Sequence, residues 1–286
     1  MKRTTILLLL FLLFAVFASV GHSQTPAITA DELRAHIKYL ASDELEGRGS
    51  GTEGNRKAAA YIADQMKQYG LKPAGDNGTY LQEFEFIAAV KLGRTNQCVL
   101  EGKGVPDGKS ELKVDADFRP LGFTTNASVS GPMAFVGYGI SAPDSKYDEY
   151  KDVDVNGKIV IALRYGPDGN DLHSELYKHT SLRNKARTAR EKGARGLIVI
   201  AGPVDDPDDE LMRLSYDQSF ASSGIPAISM KRSVVEKLLA PMGKDLKSLQ
   251  EEMKKNKQPQ SFELNNITVS VTSEVEFIRE RTSNIV

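Results

Sequence analysis

Apolar and polar positions alternate along this chain with two different periods. Near the N-terminal end the period is helical. Thr29 and Glu32 stand at capping-box spacing, and Leu33, Ile37 and Leu40 follow on one face, which predicts a first helix. A second helix is predicted from about Glu53 to Tyr69, with Ala59, Ile62, Ala63 and Met66 inward. Gly70 suits its C-terminal stop, and Pro73 prevents resumption. Tyr80 to Ile87 then alternates, with Leu81, Phe84 and Phe86 among polar residues, and Gln97 to Glu101 reads as a further strand. Gly102 to Lys109 is a turn-rich break.

From about Phe118 the strands become short, apolar and bounded by glycines. Pro132–Tyr138 (PMAFVGY), Lys158–Leu163 (KIVIAL), Gly196–Ile200 (GLIVI) and Ile225–Met230 (IPAISM) read as strands, and Pro226 favours an edge or a first position for the last. Between them Ser181–Lys192 reads as a helix with Leu182, Ala186 and Ala189 on one face, closed by Gly193. Strands alternating with a helix at this spacing predict a small α/β module within a mixed α+β chain. Ser233 and Glu236 are placed to cap a helix through Leu239. Asp245–Lys255 is a charged helix, and Ile267–Phe277 alternates as a strand with one wet face. Ser283 to Val286 reads as the start of another strand that nothing turns back, which predicts a chain forming the front part of a longer protein.

The N-terminus changes the picture of location. Lys2 and Arg3 precede an apolar run, Ile6–Ala18, too short for a membrane span, and Gly21 and Ser23 are placed for cleavage before Gln24. A signal peptide over residues 1–23 is expected, against the alternative of a membrane anchor. This predicts a periplasmic or secreted protein without stable membrane association after cleavage. Cys98 is the single cysteine, so no intrachain disulfide forms, which points to a bacterial source for an exported chain of this size. The formal net charge of -1 gives no reason to expect a nucleic-acid partner. The sequons at Asn77, Asn126 and Asn266 read as chance matches.

Candidate chemistry is sparse. Gly49-Ser50-Gly51-Thr52-Glu53-Gly54 matches GxGxxG, but a helix precedes it where a dinucleotide site needs a strand. A tight connection between helices is expected, with Arg48 and Glu53 as rim groups should it border a site. Of the histidines, His22 lies in the signal region and His36 reads as a satisfied polar neighbour of the first helix. His173 and His179, with Glu175 between them, would face different ways on a helix. There is no HExxH, no CxxC and no GxSxG. The acidic run Asp205, Asp206, Asp208, Asp209 and Glu210 could bind calcium, but a solvated, mobile loop is the expectation. Arg183, Lys185, Arg187, Arg190 and Lys192 read as a solvated basic face. No catalytic, cofactor-binding or metal residue is assigned.

Two blocks resemble a known family. Tyr39–Phe86 (YLASDELEGRGSGTEGNRKAAAYIADQMKQYGLKPAGDNGTYLQEFEF) is similar to the opening of the secreted family-28 zinc aminopeptidases. Phe135–Arg164 (FVGYGISAPDSKYDEYKDVDVNGKIVIALR) and the following KARTAREKGARGLIVIAGP resemble the protease-associated (PA) domain inserted into many of these enzymes, and RTSNIV resembles the strand where the peptidase domain resumes. The resemblance implies residues 24–117 as an N-terminal flank, 118–257 as the PA insert and 258–286 as the resumed peptidase domain. It implies a peptide substrate and two zinc ions in the full-length parent, held by His and carboxylate ligands that begin with a His-x-Asp pair shortly after the strand Asn284-Ile285-Val286 starts. No His of this chain has Asp two positions on: His36 has Lys38, His173 has Glu175 and His179 has Ser181. The expectation is an exported-aminopeptidase portion that is inactive alone. The alternative is a non-enzymatic PA-domain interaction module.

Overall fold

The computed structural model describes residues 28–217, 219 and 222–286, so the expected signal peptide and His22 lie outside the described residues. The elements in chain order are α1 (Ala30–Leu40), α2 (Glu53–Gln68), β1 (Leu81–Leu92), β2 (Gln97–Gly102), β3 (Lys109–Leu112), β4 (Phe118–Pro120), β5 (Ala127–Val136), β6 (Ser141–Ala142), β7 (Tyr147–Asp148), β8 (Ile159–Leu163), α3 (Leu182–Glu191), β9 (Gly196–Ile200), β10 (Ala227–Met230), α4 (Arg232–Leu239), α5 (Leu246–Asn256), β11 (Ser261–Ser273) and β12 (Val275–Ile285). The chain divides into two compact units, one up to Phe84 with Thr282–Val286, the other Glu85–Arg281.

In the smaller unit both predicted helices form. Thr29 and Glu32 close a reciprocal capping box on α1. The apolar stripe of α1 does not find a core, however. Leu33 is 51% exposed and Ile37 65%, because no element among the described residues packs over that face. Helix α2 is N-capped by Thr52, whose hydroxyl accepts from Asn55 N. Ser283–Ile285 are the end of β12 rather than the start of a new strand, since β12 pairs with β1. Val286 N donates to Tyr80 O at 2.9 Å, and Ala74 N to Val286 O at 3.4 Å.

The larger unit is built on an eight-stranded sheet, ordered β3-β2-β11-β5-β8-β9-β10-β4. Its centre is parallel: β5 pairs with β8, β8 with β9 and β9 with β10. These are the glycine-bounded apolar runs, and they are continuous in hydrophobicity because a parallel strand is covered on both faces. Alternation within β8 sorts the two cores. Ile159, Ile161 and Leu163 join α4 and α5 through Val235, Leu238, Leu239, Leu246 and Met253. Val160 and Ala162 join Ala186 and Ala189 of α3. The unit is therefore a sheet between α4–α5 on one face and the crossover helix α3 on the other.

The structure departs from the predicted elements in a few places, each for a local reason. Strand β5 begins at Ala127, earlier than Pro132, because residues 127–131 find partners on β11. The strand predicted over Ile267–Phe277 is two strands broken at Glu274, with β11 reaching back to Ser261. Asn266 takes a left-handed φ of 65° where the β11–β5 register shifts. Gly102 lies against that bulge, and a Cβ there would stand 1.9 Å from Asn266 O. Strand β10 is flanked by both β9 and β4, so Pro226 marks its threshold and not an edge. Helix α4 begins at Arg232 with no side-chain cap from its N-cap residue Lys231, and Ser233 does not cap it.

Candidate functional site

The glycine-rich loop of the smaller unit is a tight helix–helix connection. Asp43–Arg48 forms a 3-10 turn interrupted by left-handed residues Glu46 and Gly47, and Arg48 follows with φ 56°. Thr52 Oγ1 donates to Gly49 O at 2.6 Å. Gly54 is required for a different reason: a Cβ there would meet Leu45 O at 1.9 Å. The third glycine of the motif thus serves a close backbone approach. Glu53 is held by Arg56, 2.8 Å away. A groove of about 300 Å3 is lined by Leu40, Arg48, Asn55, Ala59, Ile62 and Ile285, among others.

The described histidines are dispersed. His36 Nδ1 lies 2.7 Å from Tyr61 Oη and Nε2 3.0 Å from Tyr69 Oη, a satisfied neighbour between two phenols. His173 is exposed. Burial holds the His179 imidazole below its ordinary pKa, with Lys178 and Arg187 acting the same way. Among the described residues no group of three or more His, Cys, Asp or Glu side chains converges to hold a metal ion.

In the larger unit two charged side chains organise the centre. Glu149 is 1% exposed and Lys185 0%. Gly137 and Gly139, both with positive φ, turn the chain after β5. The Glu149 carboxylate accepts from Tyr138 N at 2.8 Å and Ile140 N at 2.9 Å, and from Tyr147 Oη at 2.8 Å. Lys185 Nζ donates to Tyr138 O and, at 2.6 Å, to Tyr165 O. One carboxylate and one ammonium thus hold opposite sides of the same turn. Burial pushes the Glu149 carboxyl up to about 7, against the pull of the Ile140 and Tyr138 amides and the Tyr147 hydroxyl. Burial pushes the Lys185 ammonium down to about 7, while Glu149 opposes that shift.

This corrects the reading of α3 as a solvated basic face. Lys185 is fully buried on the side shared with Leu182, Ala186 and Ala189, a placement its spacing from Leu182 and Ala189 could have indicated. Arg183 pairs with Asp217 at 2.7 Å and lies over the Phe123 ring. Arg190 Nη1 donates to Ser223 O at 3.1 Å, and Lys192 stands 3.3 Å from Asp148. Arg187 keeps the expected exposed position.

The acidic run is likewise not a free loop. Asp205 accepts from Gln250 Nε2 at 2.9 Å and from Lys254 Nζ. Asp206 accepts from Arg164 Nη1 at 3.1 Å. Asp209 accepts from Arg232 N at 2.6 Å and Ser233 N at 2.9 Å, supplying from a distance the cap that α4 lacks in its own sequence. Their carboxylates point to separate partners, so they do not form a calcium cage. Beside them lies a cavity of about 410 Å3 lined by Arg164, Leu182, Asp206, Asp208, Glu210, Leu211, Met212, Arg213 and Ser215.

Residues 122–238 match the family model of the PA domain. The match starts four residues after the expected boundary at 118 and ends within α4. Comparison with curated proteins yields no match. Among solved structures, an aminopeptidase from Aneurinibacillus sp. strain AM-1 is similar at 18% identity and a TM-score of 0.45, over 89% of this chain and 46% of that one. A zinc aminopeptidase from Bacillus subtilis is similar at 16% identity and 0.36, over 89% and 46%. A peptidase M28 precursor from Shewanella amazonensis is similar at 15% identity and 0.36, over 88% and 52%. The chain thus spans about half the length of these proteins. No helix among the described residues is long and apolar enough to cross a membrane.

Proposed function

We propose that this chain supplies the N-terminal flank and the PA domain of an exported, zinc-dependent family-28 aminopeptidase, an enzyme that removes N-terminal residues from peptides. The PA domain would border the substrate cleft. One observation carries the reading: the smaller unit is discontinuous in sequence. It joins residues up to Phe84 with Thr282–Val286, and the PA-bearing unit lies between them. That is the arrangement an inserted domain requires, and both joined pieces carry the sequence likeness to the family. The expected insert, 118–257, lies within the larger unit.

The zinc ions do not fit the residues present. The sequence lacks His-x-Asp, and the described carboxylates and imidazoles are dispersed. No step is therefore assigned to a residue of this chain, and the two zinc ions would be held by ligands outside residues 1–286. The purified chain is expected to bind no zinc stoichiometrically and to leave leucine p-nitroanilide intact. The gene is expected to continue in frame into His-x-Asp. Cleavage that a chelator abolishes would overturn the assignment of the ligands elsewhere, and a stop codon directly after codon 286 would overturn the enzyme reading.

A second reading, a PA-domain interaction module without catalysis, is favoured by the self-contained larger unit. Its sheet is covered on both faces by helices from within Glu85–Arg281.

A further inference from the structure

We propose that the cavity beside the first turn of α3 is a docking site for a basic, extended stretch of polypeptide. The inference rests on the PA-bearing unit alone and stands with either reading of the chain.

The cavity, about 410 Å3, falls in the range of roughly 300–1,000 Å3 typical of ligand pockets. Its ionised groups are unequally committed. Arg164 is occupied by Asp206. Asp208, Glu210 and Arg213 are exposed, and their side chains make no hydrogen bond or ion pair among the described residues. Two free carboxylates against one free guanidinium leave the mouth net negative, which complements a cationic ligand. Leu182, Leu211 and Met212 supply apolar lining.

The backbone chooses between cations. Residues 210–217 belong to no helix, strand or turn. Met212 is fixed, its N donating to Ser229 Oγ at 3.0 Å and its O accepting from Arg119 at 3.4 Å. Leu211, Arg213 and Leu214, around it, have no backbone hydrogen-bond partner, while the Ser215 carbonyl packs against Gly122. Unpaired amides and carbonyls on either side of a fixed residue of the pocket lining, as at Leu211 and Arg213 beside Met212, are what a second polypeptide backbone can match. A small amine or a metal ion would use the carboxylates only. The wall is anchored from behind, since Asp206 and Asp209 are tied to Arg164 and to the start of α4. In the docked state lysine or arginine side chains would face Asp208 and Glu210, and an apolar side chain would lie against Leu182, Leu211 and Met212.

The test uses the full chain and a fluorescein-labelled, end-blocked octapeptide of alternating lysine and valine, followed by anisotropy at low and moderate salt. Controls are the alternating glutamate–valine peptide and the lysine–valine peptide N-methylated at each valine. Asp208→Lys with Glu210→Lys, both surface positions, should leave the circular dichroism unchanged and weaken binding by about 10-fold or more. The glutamate peptide should not bind, and N-methylation should cause a comparable loss. Amide shifts at Leu211–Ser215 should move on titration. The proposal is overturned if the lysine–valine peptide does not bind at millimolar concentration, or if the double variant binds it unchanged. Undiminished binding of the N-methylated peptide would also overturn it, because the surface would then recognise charge and not a backbone.

Discussion

Glu149 and Lys185 illustrate how much a single turn can depend on two side chains. Removing either takes hydrogen bonds from the turn and the opposing charge from the other's surroundings, and loss of one member of a buried charged set typically destabilises a protein by about 3–5 kcal/mol. Glu149→Gln and Lys185→Met should each lower the urea midpoint followed by circular dichroism, and the double variant should lose less than the sum. The pH dependence has a definite sign. Glu149 is raised from 4.5 to about 7 in the fold, so the native state keeps a proton that the unfolded chain releases. Stability from this group falls as pH rises through that window. Lys185 is lowered from 10.5 to about 7, so the unfolded chain keeps a proton that the native state releases, and stability rises again above pH 7. A trough near neutrality, absent from the double variant, is the expected profile. These residues were hidden in the sequence because a lysine in a basic helix and a glutamate in an acidic loop look like surface. Only the apolar spacing around Lys185 carried a signal.

At the scale of elements, the sequence was most readable where local chemistry decides. The capping box at Thr29, the stop at Gly70 and the run GLIVI all formed as their residues dictate. It was least readable where a distant partner decides. Nothing local to Arg232 and Ser233 reveals that Asp209 caps them, and nothing in Asp205–Glu210 reveals its ties to Gln250, Lys254 and Arg164. Asp209→Ala should lower the stability of the larger unit by about 1 kcal/mol, as loss of an N-cap does. It should also raise amide exchange in the first turn of α4. An unchanged exchange rate there would assign the capping to solvent.

At the scale of the molecule, the two units differ in how much they bury. The larger has a sheet with two apolar faces filled. In the smaller, α1 contributes no buried residue, and of α2 only Gly54 and Ala58 are buried. Amide exchange should therefore be slow in β5, β8, β9 and β10 and markedly faster in α1 and α2. Equal protection would mean that the smaller unit draws stability from a source other than side-chain burial. The sequence could place both helices but could not tell how well their apolar faces are covered, because coverage depends on partners and not on period.

The larger unit begins and ends on neighbouring strands. Arg281 stands 3.4 Å from Glu85, Glu276 2.9 Å from Lys91, and Gly93 donates to Glu274 O at 2.9 Å. Its two ends are thus already together, as in a sentence enclosed by matched parentheses. A gene that gains or loses such a passage keeps its flanking text in register, since a tight turn joining the two strands would restore the short version. Ends this close together are what lets a domain be inserted into another chain, or removed from it, as a unit.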